Sequence, residues 1–250
     1  MTADFNESRD PSLAFADSVF GLSWDDVRDG WYEIYFTRVS AGGQKLDPDL
    51  RVTWDGDIST SSSLAWADSV FGVSWTDGRD GNREIYFARL SASGAKLGDD
   101  LRVTYNANYT LNPSLAWTGS EFGVSWEDHP DPNSLIYFVR LSASGQKLGE
   151  DLRVSADSKV NTAYVPSLAW ADSGFGVSWQ DRRDDNFEIY FARVSASGQK
   201  LGEDLRVTTD PAASGYPSLV WTGSAFGVNW DDSRHGNDEM YLAGVADVCR

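Results

Sequence analysis

The chain has 250 residues, 21 Lys plus Arg against 38 Asp plus Glu, and a formal charge of −17; that length suits one large β domain with an ample core. The charge repels nucleic-acid backbones and anionic lipid, so neither partner is expected, while neutral sugars, cationic ligands and divalent ions remain compatible. The single cysteine, Cys249, excludes an intramolecular disulfide framework, no apolar run reaches 18 residues, and the opening Met-Thr-Ala-Asp-Phe-Asn carries no signal-peptide pattern.

In chain order, a short segment at residues 3–8 precedes five copies of one pattern, at 11–53, 62–104, 113–155, 166–208 and 217–245. Each copy pairs Ser-Leu-Ala-Trp or a close variant with Phe-Gly-x-x-Trp, and the second Trp recurs as Trp24, Trp75, Trp126, Trp179 and Trp230. The spacings are 51, 51, 53 and 51 residues. Self-similarity at this period marks one structural unit used repeatedly.

The fourth copy shows how a unit reads. Ser167-Leu168-Ala169-Trp170 turns at Asp172-Ser173-Gly174 into Phe175-Gly176-Val177-Ser178-Trp179, which alternates large and small side chains as a strand does. A polar loop from Asp181 to Asn186 leads into Glu188–Val194, rich in β formers, and Leu205–Thr208 supplies a fourth strand. Four short strands per unit predict an all-β, five-bladed β-propeller of four-stranded antiparallel blades. Large residues on one blade would fill the Gly, Ser and Ala gaps of its neighbour, so the repeated Trp residues read as inter-blade core, not as ligand platforms. The fifth copy stops after its third strand, so the segment 3–8 is expected to complete that blade and close a single domain spanning 1–250.

Candidate function concentrates on one face. The turns of the other face repeat with little change, whereas the blade connections differ in every copy and carry Trp54, Tyr105, Tyr109, Tyr164 and Tyr216. Aromatic rings in polar loops are surfaces on which sugars stack; each could equally plug a local gap. The loop between second and third strands is Asp26-Val27-Arg28-Asp29-Gly30-Trp31 in the first copy, and its Asp and Arg recur as Asp77 and Arg79, Asp181 and Arg183, and Asp232 and Arg234. Asp-Gly favours a tight turn, and the Arg can pair with the carboxylates as a structural tie. The third copy, Asp128-His129-Pro130-Asp131-Pro132-Asn133, loses the Arg and the following Glu.

The run Trp-x-Asp-x-Arg-Asp-Gly-Asn-x-Glu-Ile-Tyr resembles the TolB-like propeller repeats of bacterial exported proteins, at the level of the repeat and over the whole chain. That resemblance implies a five-bladed propeller, a secreted or periplasmic setting, and an interaction scaffold rather than a particular chemistry. The acidic loops supply hard oxygen ligands that Ca²⁺ accepts, although the intervening Arg opposes it; His129, His235 and Cys249 are too scattered for a zinc site. Five-bladed propellers also include glycoside hydrolases, associated with carboxylates at a central channel. Here the innermost strands carry no carboxylate, and the acids that differ between blades are Asp25, Glu127 and Asp231, replaced elsewhere by Thr76 and Gln180.

The sequence therefore ranks first a non-enzymatic, lectin-like and multivalent carbohydrate-binding module without a cofactor, expected as a monomer. Its ligand site would combine Trp31, Trp54, Tyr105, Tyr109, Tyr164 and Tyr216 with the loop Asp and Arg residues. A protein-interaction scaffold ranks second and a glycoside hydrolase third.

Overall fold

A computed structural model describes residues 7–54, 56–130, 132–156 and 162–246. The fold is an all-β five-bladed propeller of antiparallel meander blades, and the described residues contain no helix. The first blade is β1 (Ser8–Ala16), β2 (Val19–Asp26), β3 (Glu33–Ser40) and β4 (Leu50–Arg51), and the second is β5 (Ser59–Ala67), β6 (Val70–Asp77), β7 (Glu84–Ser91) and β8 (Lys96–Arg102). The third blade is β9 (Tyr109–Trp117), β10 (Glu121–His129), β11 (Leu135–Ser142) and β12 (Lys147–Arg153). The fourth is β13 (Ala163–Ala171), β14 (Gly174–Asp184), β15 (Asn186–Ser195) and β16 (Lys200–Arg206). Among the described residues the fifth holds three strands, β17 (Ser214–Trp221), β18 (Ala225–Asp232) and β19 (Glu239–Ala246). Outer strand β4 is short, and just before it Asp47-Pro48 stands where the other copies have Gly followed by Asp or Glu, the Gly at positive φ.

Contacts divide the chain into two units, one of Met1–Phe122 with Leu141–Lys147 and one of Gly123–Arg140 with Leu148–Arg250. In the first unit, alternation along β6 turns Phe71, Val73 and Trp75 into a fully buried face, and the opposite face carries Gly72. The missing side chain matters there: a Cβ at Gly72 would stand 2.5 Å from a ring carbon of Phe122. Ile34, Phe36 and Val52 of the first blade join Phe71, Val73, Trp75 and Ala88 of the second in one core cluster. The second unit repeats this arrangement, with Phe226 seated over Gly176, and Ile189 and Phe191 clustered with Val228 and Trp230. Phe36 and Phe71 meet with ring centroids 5.1 Å apart, and Phe191 and Phe226 at 5.2 Å. All five second-strand Trp residues are buried, which places them in the core.

The expected closing strand falls almost wholly on residues outside those described. Of that segment, Ser8 belongs to the first blade: it pairs with Asp26 as Ser59 pairs with Asp77 and Ser214 with Asp232. Its register thus matches the start of an innermost strand and not the outer-strand position held by Thr208.

Candidate functional site

In four blades the Asp two residues after the second-strand Trp (Asp26, Asp77, Asp181 and Asp232) has its carboxylate beneath the following loop. In the second blade Asp77 accepts hydrogen bonds from Trp75 Nε1 (2.6 Å), from Ser59 Oγ (3.2 Å) and from Arg79, whose Nη2 donates at 2.6 Å. The Arg79 guanidinium lies 4.3 Å from the centroid of the Tyr86 ring and also donates to Asp100 at 3.0 Å. Asp26 with Arg28, Asp181 with Arg183 and Asp232 with Arg234 repeat the clip, with Arg-to-ring distances of 4.3, 4.2 and 4.1 Å. Burial pushes the Asp26 carboxyl up, but hydrogen bonds led by Arg28 outweigh it and hold the group below the usual carboxylate range; Arg234 does the same most directly for Asp232.

A second tie fixes the connection to the next blade. Glu33, Glu84 and Glu188 are buried and accept from Arg51 (2.5 Å), Arg102 (2.9 Å) and Arg206 (2.7 Å), and also from Thr53, Thr104 and Thr208. Tyr35, Tyr86 and Tyr190 donate to Asp29, Asp80 and Asp184, and burial followed by those bonds raises their phenol pKa values. The loop Asp, Arg and Glu residues of these blades thus serve as structural ties. Their oxygens face Arg, Tyr and Thr donors, and among the described residues no three His, Cys, Asp or Glu side chains converge on a possible metal position.

The connection aromatics are placed differently from one another. Trp54 and Tyr105 are exposed and lie 4.5 and 4.7 Å from the Arg51 and Arg102 guanidinium groups, which orient them. Trp31 and Tyr109 are also exposed. Tyr164 is half-buried between His129 and Phe187, with centroid distances of 5.8 and 6.1 Å.

Sequence reasoning passed over a repeated contact that separates the blades chemically. The residue after the second-strand Trp reaches the innermost strand of the next blade. Asp25 accepts from Ser61 N at 3.1 Å and Thr76 from Asn112 N at 3.2 Å in the first unit. Glu127 accepts from Val165 N at 2.5 Å and Gln180 from Tyr216 N at 2.8 Å in the second. Ser61, Asn112, Val165 and Tyr216 all have φ between 50° and 57°, and Asp10, the equivalent residue of the first blade, has φ 49°, so the left-handed conformation belongs to the irregularity in the innermost strands and the acceptor caps it. Burial first, then the charge of Asp10, pushes the Asp25 carboxyl up to about 7 against the opposing pull of Arg9, whose Nε donates to it at 3.2 Å. Glu127 also bonds His129 Nε2 at 2.8 Å.

Asp231 stands at the same repeat position but its half-buried carboxylate has no hydrogen-bond partner among the described residues. It lines a cavity of about 200 Å³ in the second unit together with Gln180, Phe187, Gly215, Tyr216 and Asp238. Of the residues expected from sequence, Tyr216 is the one brought to this cavity; Arg234 and Asp232 lie beneath the neighbouring loop in their own clip. The signal that could have located the cavity was the variation Asp25, Thr76, Glu127, Gln180, Asp231 at one repeat position.

No protein-family model matches the chain, and no curated protein sequence does. Solved structures do. A thermostable family-43 glycoside hydrolase aligns with a TM-score of 0.61 at 10% identity, over 96% of this chain and 90% of its own. An endo-arabinase from Bacteroides thetaiotaomicron gives 0.58 at 13% identity, over 95% and 93%, and a native Bacillus subtilis arabinanase gives 0.55 at 12%, over 94% and 93%. These likenesses correct two expectations. The TolB-like resemblance does not hold: the run that suggested it is an intra-blade clip, which reports on blade geometry and not on family. The non-enzymatic, lectin-like ranking falls as well, because the neighbours are glycoside hydrolases and because the loop Asp and Arg groups assumed to bind sugar are engaged in structural ties. What the comparisons establish for this chain is the five-bladed propeller fold.

Proposed function

We propose that the chain is a glycoside hydrolase acting on arabinose-containing polysaccharide, with its reacting groups in the cavity of the second unit. The observation that carries this reading is the Asp231 carboxylate, without a hydrogen-bond partner among the described residues and set in a recess the size of one sugar ring with a second carboxylate, Asp238, on its lining. Glycoside hydrolysis needs two carboxyl groups in different environments, one to protonate the leaving oxygen and one to activate water or attack the anomeric carbon. Asp231 is half-buried and Asp238 is exposed, so their environments differ. Tyr216, largely exposed at the cavity, offers a stacking platform, while Gln180 spends its carbonyl on Tyr216 N and keeps its amide NH₂ to donate to a hydroxyl. The neighbours named as arabinanases support the pentose substrate, and a neutral polysaccharide suits a chain of charge −17.

The test is reducing-sugar release from arabinan, arabinoxylan and mannan. Release from the arabinose polymers, reduced about 10²–10⁴-fold by Asp231→Asn in a protein of unchanged melting temperature, is expected. No release from any of the three, or full activity of both Asp231→Asn and Asp238→Asn, overturns the proposal.

A further inference from the structure

The third strand of each of the first four blades carries an arginine at the same place: Arg38 in β3, Arg89 in β7, Arg140 in β11 and Arg193 in β15. In the first unit Arg38 is committed, its Nε donating to Asp47 at 2.7 Å and its Nη1 to Ala92 O at 2.9 Å. In the second unit Arg193 donates to Phe175 O and Ser173 Oγ, both at 3.3 Å, and lies 5.0 Å from the centroid of the Phe226 ring. Arg89 is half-buried and has no hydrogen-bond or ion-pair partner among the described residues. The reason is in the outer strand. The residue aligned with Asp47 is Gly98, so the second blade lacks the carboxylate that Arg38 uses.

Gly98 also shapes the space around that cation. At φ 75° it sits in the irregularity of β8, where pairing passes from Phe87–Leu101 to Arg89–Leu97. A cavity of about 220 Å³ opens there between β7, β8 and the turn after β11, and its lining includes Arg89, Leu97, Gly98, Asp99, Ser144 and Gly145. All of these residues belong to the first unit. Gly149, with φ 81°, holds the same place in β12 of the second unit, where a smaller cavity of about 90 Å³ adjoins Arg140. A guanidinium partly withdrawn from water and without a counter-charge gains from a carboxylate, which it can hold through two parallel N–H···O bonds. The other polar side chains on the lining suit hydroxyls, since the exposed Asp99 carboxylate accepts hydrogen bonds and the Ser144 hydroxyl both donates and accepts. Asp99 and the overall charge of −17 together disfavour a dianion such as sulfate or phosphate.

We propose that this cavity is an ancillary site for a uronic acid residue, Arg89 holding the sugar carboxylate while Asp99 and Ser144 take ring hydroxyls. A ring with one carboxylate and several hydroxyls matches a recess that offers one cation beside hydroxyl partners. The site shares no residue with the cavity proposed for hydrolysis and breaks no bond, so it stands or falls independently of that reading.

Titration of the isotope-labelled full chain with glucuronic acid, glucose, acetate and sulfate tests it by nuclear magnetic resonance, through the amide signals of Gly98 and Gly145, which report the cavity locally. Glucuronic acid is expected to shift both signals saturably and to bind at least tenfold more tightly than the other three. Arg89→Gln should keep the melting temperature and weaken glucuronic acid binding at least tenfold. Arg89→Lys should retain part of it, because a point charge remains but the two-bonded grip is lost. Arg38→Gln should leave it unchanged, since that guanidinium is already held by Asp47. No saturable shift with glucuronic acid overturns the proposal. So does equal binding of glucose, which takes the charge out of recognition, or of acetate or sulfate, which takes the sugar out of it. Binding undiminished in Arg89→Gln overturns it as well.

Discussion

Replacing Gly72 by Ala puts the packing logic of the blades under direct strain. The added Cβ would stand 2.5 Å from Phe122 Cε1, 2.9 Å from Phe122 Cζ and 3.0 Å from Phe87 Cε2. Carbon atoms rest about 3.5–4.0 Å apart at their energy minimum, so the Phe122 ring must retreat by about 1 Å. It has little room to do so, since it meets Phe87 at 5.1 Å and Trp117 at 4.6 Å between centroids. Overpacking of this type costs about 1–3 kcal/mol, and a chain of this size loses roughly 2–4 °C of melting temperature per kcal/mol. A fall of about 2–12 °C is expected by calorimetry or circular dichroism. Gly176→Ala, whose Cβ would stand 2.6 Å from Phe226, should behave alike. A Gly72→Ala or Gly176→Ala protein that melts with the wild type would refute the knob-and-gap account.

Three further outcomes follow from the clips and the core. Trp75→Ala removes a fully buried ring and should cost about 3–5 kcal/mol; wild-type emission should be largely blue-shifted, with the acrylamide-accessible fraction coming chiefly from exposed Trp31 and Trp54. Arg79→Ala strips the buried Asp77 carboxylate of its cation and should cost about 3 kcal/mol in urea titration, whereas Arg83→Ala, outside the clip, should stay within about 0.5 kcal/mol. The Asp25 carboxyl, raised to about 7 in the fold from a reference of 3.8, keeps a proton between pH 4 and 7 that the unfolded chain has lost. Stability should therefore fall as pH rises through that window, by at most about 4 kcal/mol. The depressed Asp26 and Asp232 act in the opposite sense below about pH 4, where their contribution is lost. A flat stability profile from pH 4 to 7, or a slope retained in Asp25→Asn, would rule out that assignment.

Much of this protein was written in one dimension. The recurrence of Trp24, Trp75, Trp126, Trp179 and Trp230, with Phe and Gly at fixed offsets before them, determined strand, blade and blade number, because alternation assigns faces and period counts units. The sequence could also suggest that Arg28, Arg79, Arg183 and Arg234 bond their loop carboxylates, since the two lie two residues apart in the same turn. Tertiary structure alone decided which polar groups those bonds consume. At Asp77 and Asp181 the loop Arg is joined by the indole N–H of Trp75 and Trp179, so each carboxylate is taken up from two sides. Asp231, one of the acids that differ between blades, has no hydrogen-bond partner among the described residues and lines a cavity with residues of β14, β17 and the loop before β19. The distinction lies in bonds and recesses between residues far apart in sequence, where a repeat fixes the position of a side chain but not what surrounds it.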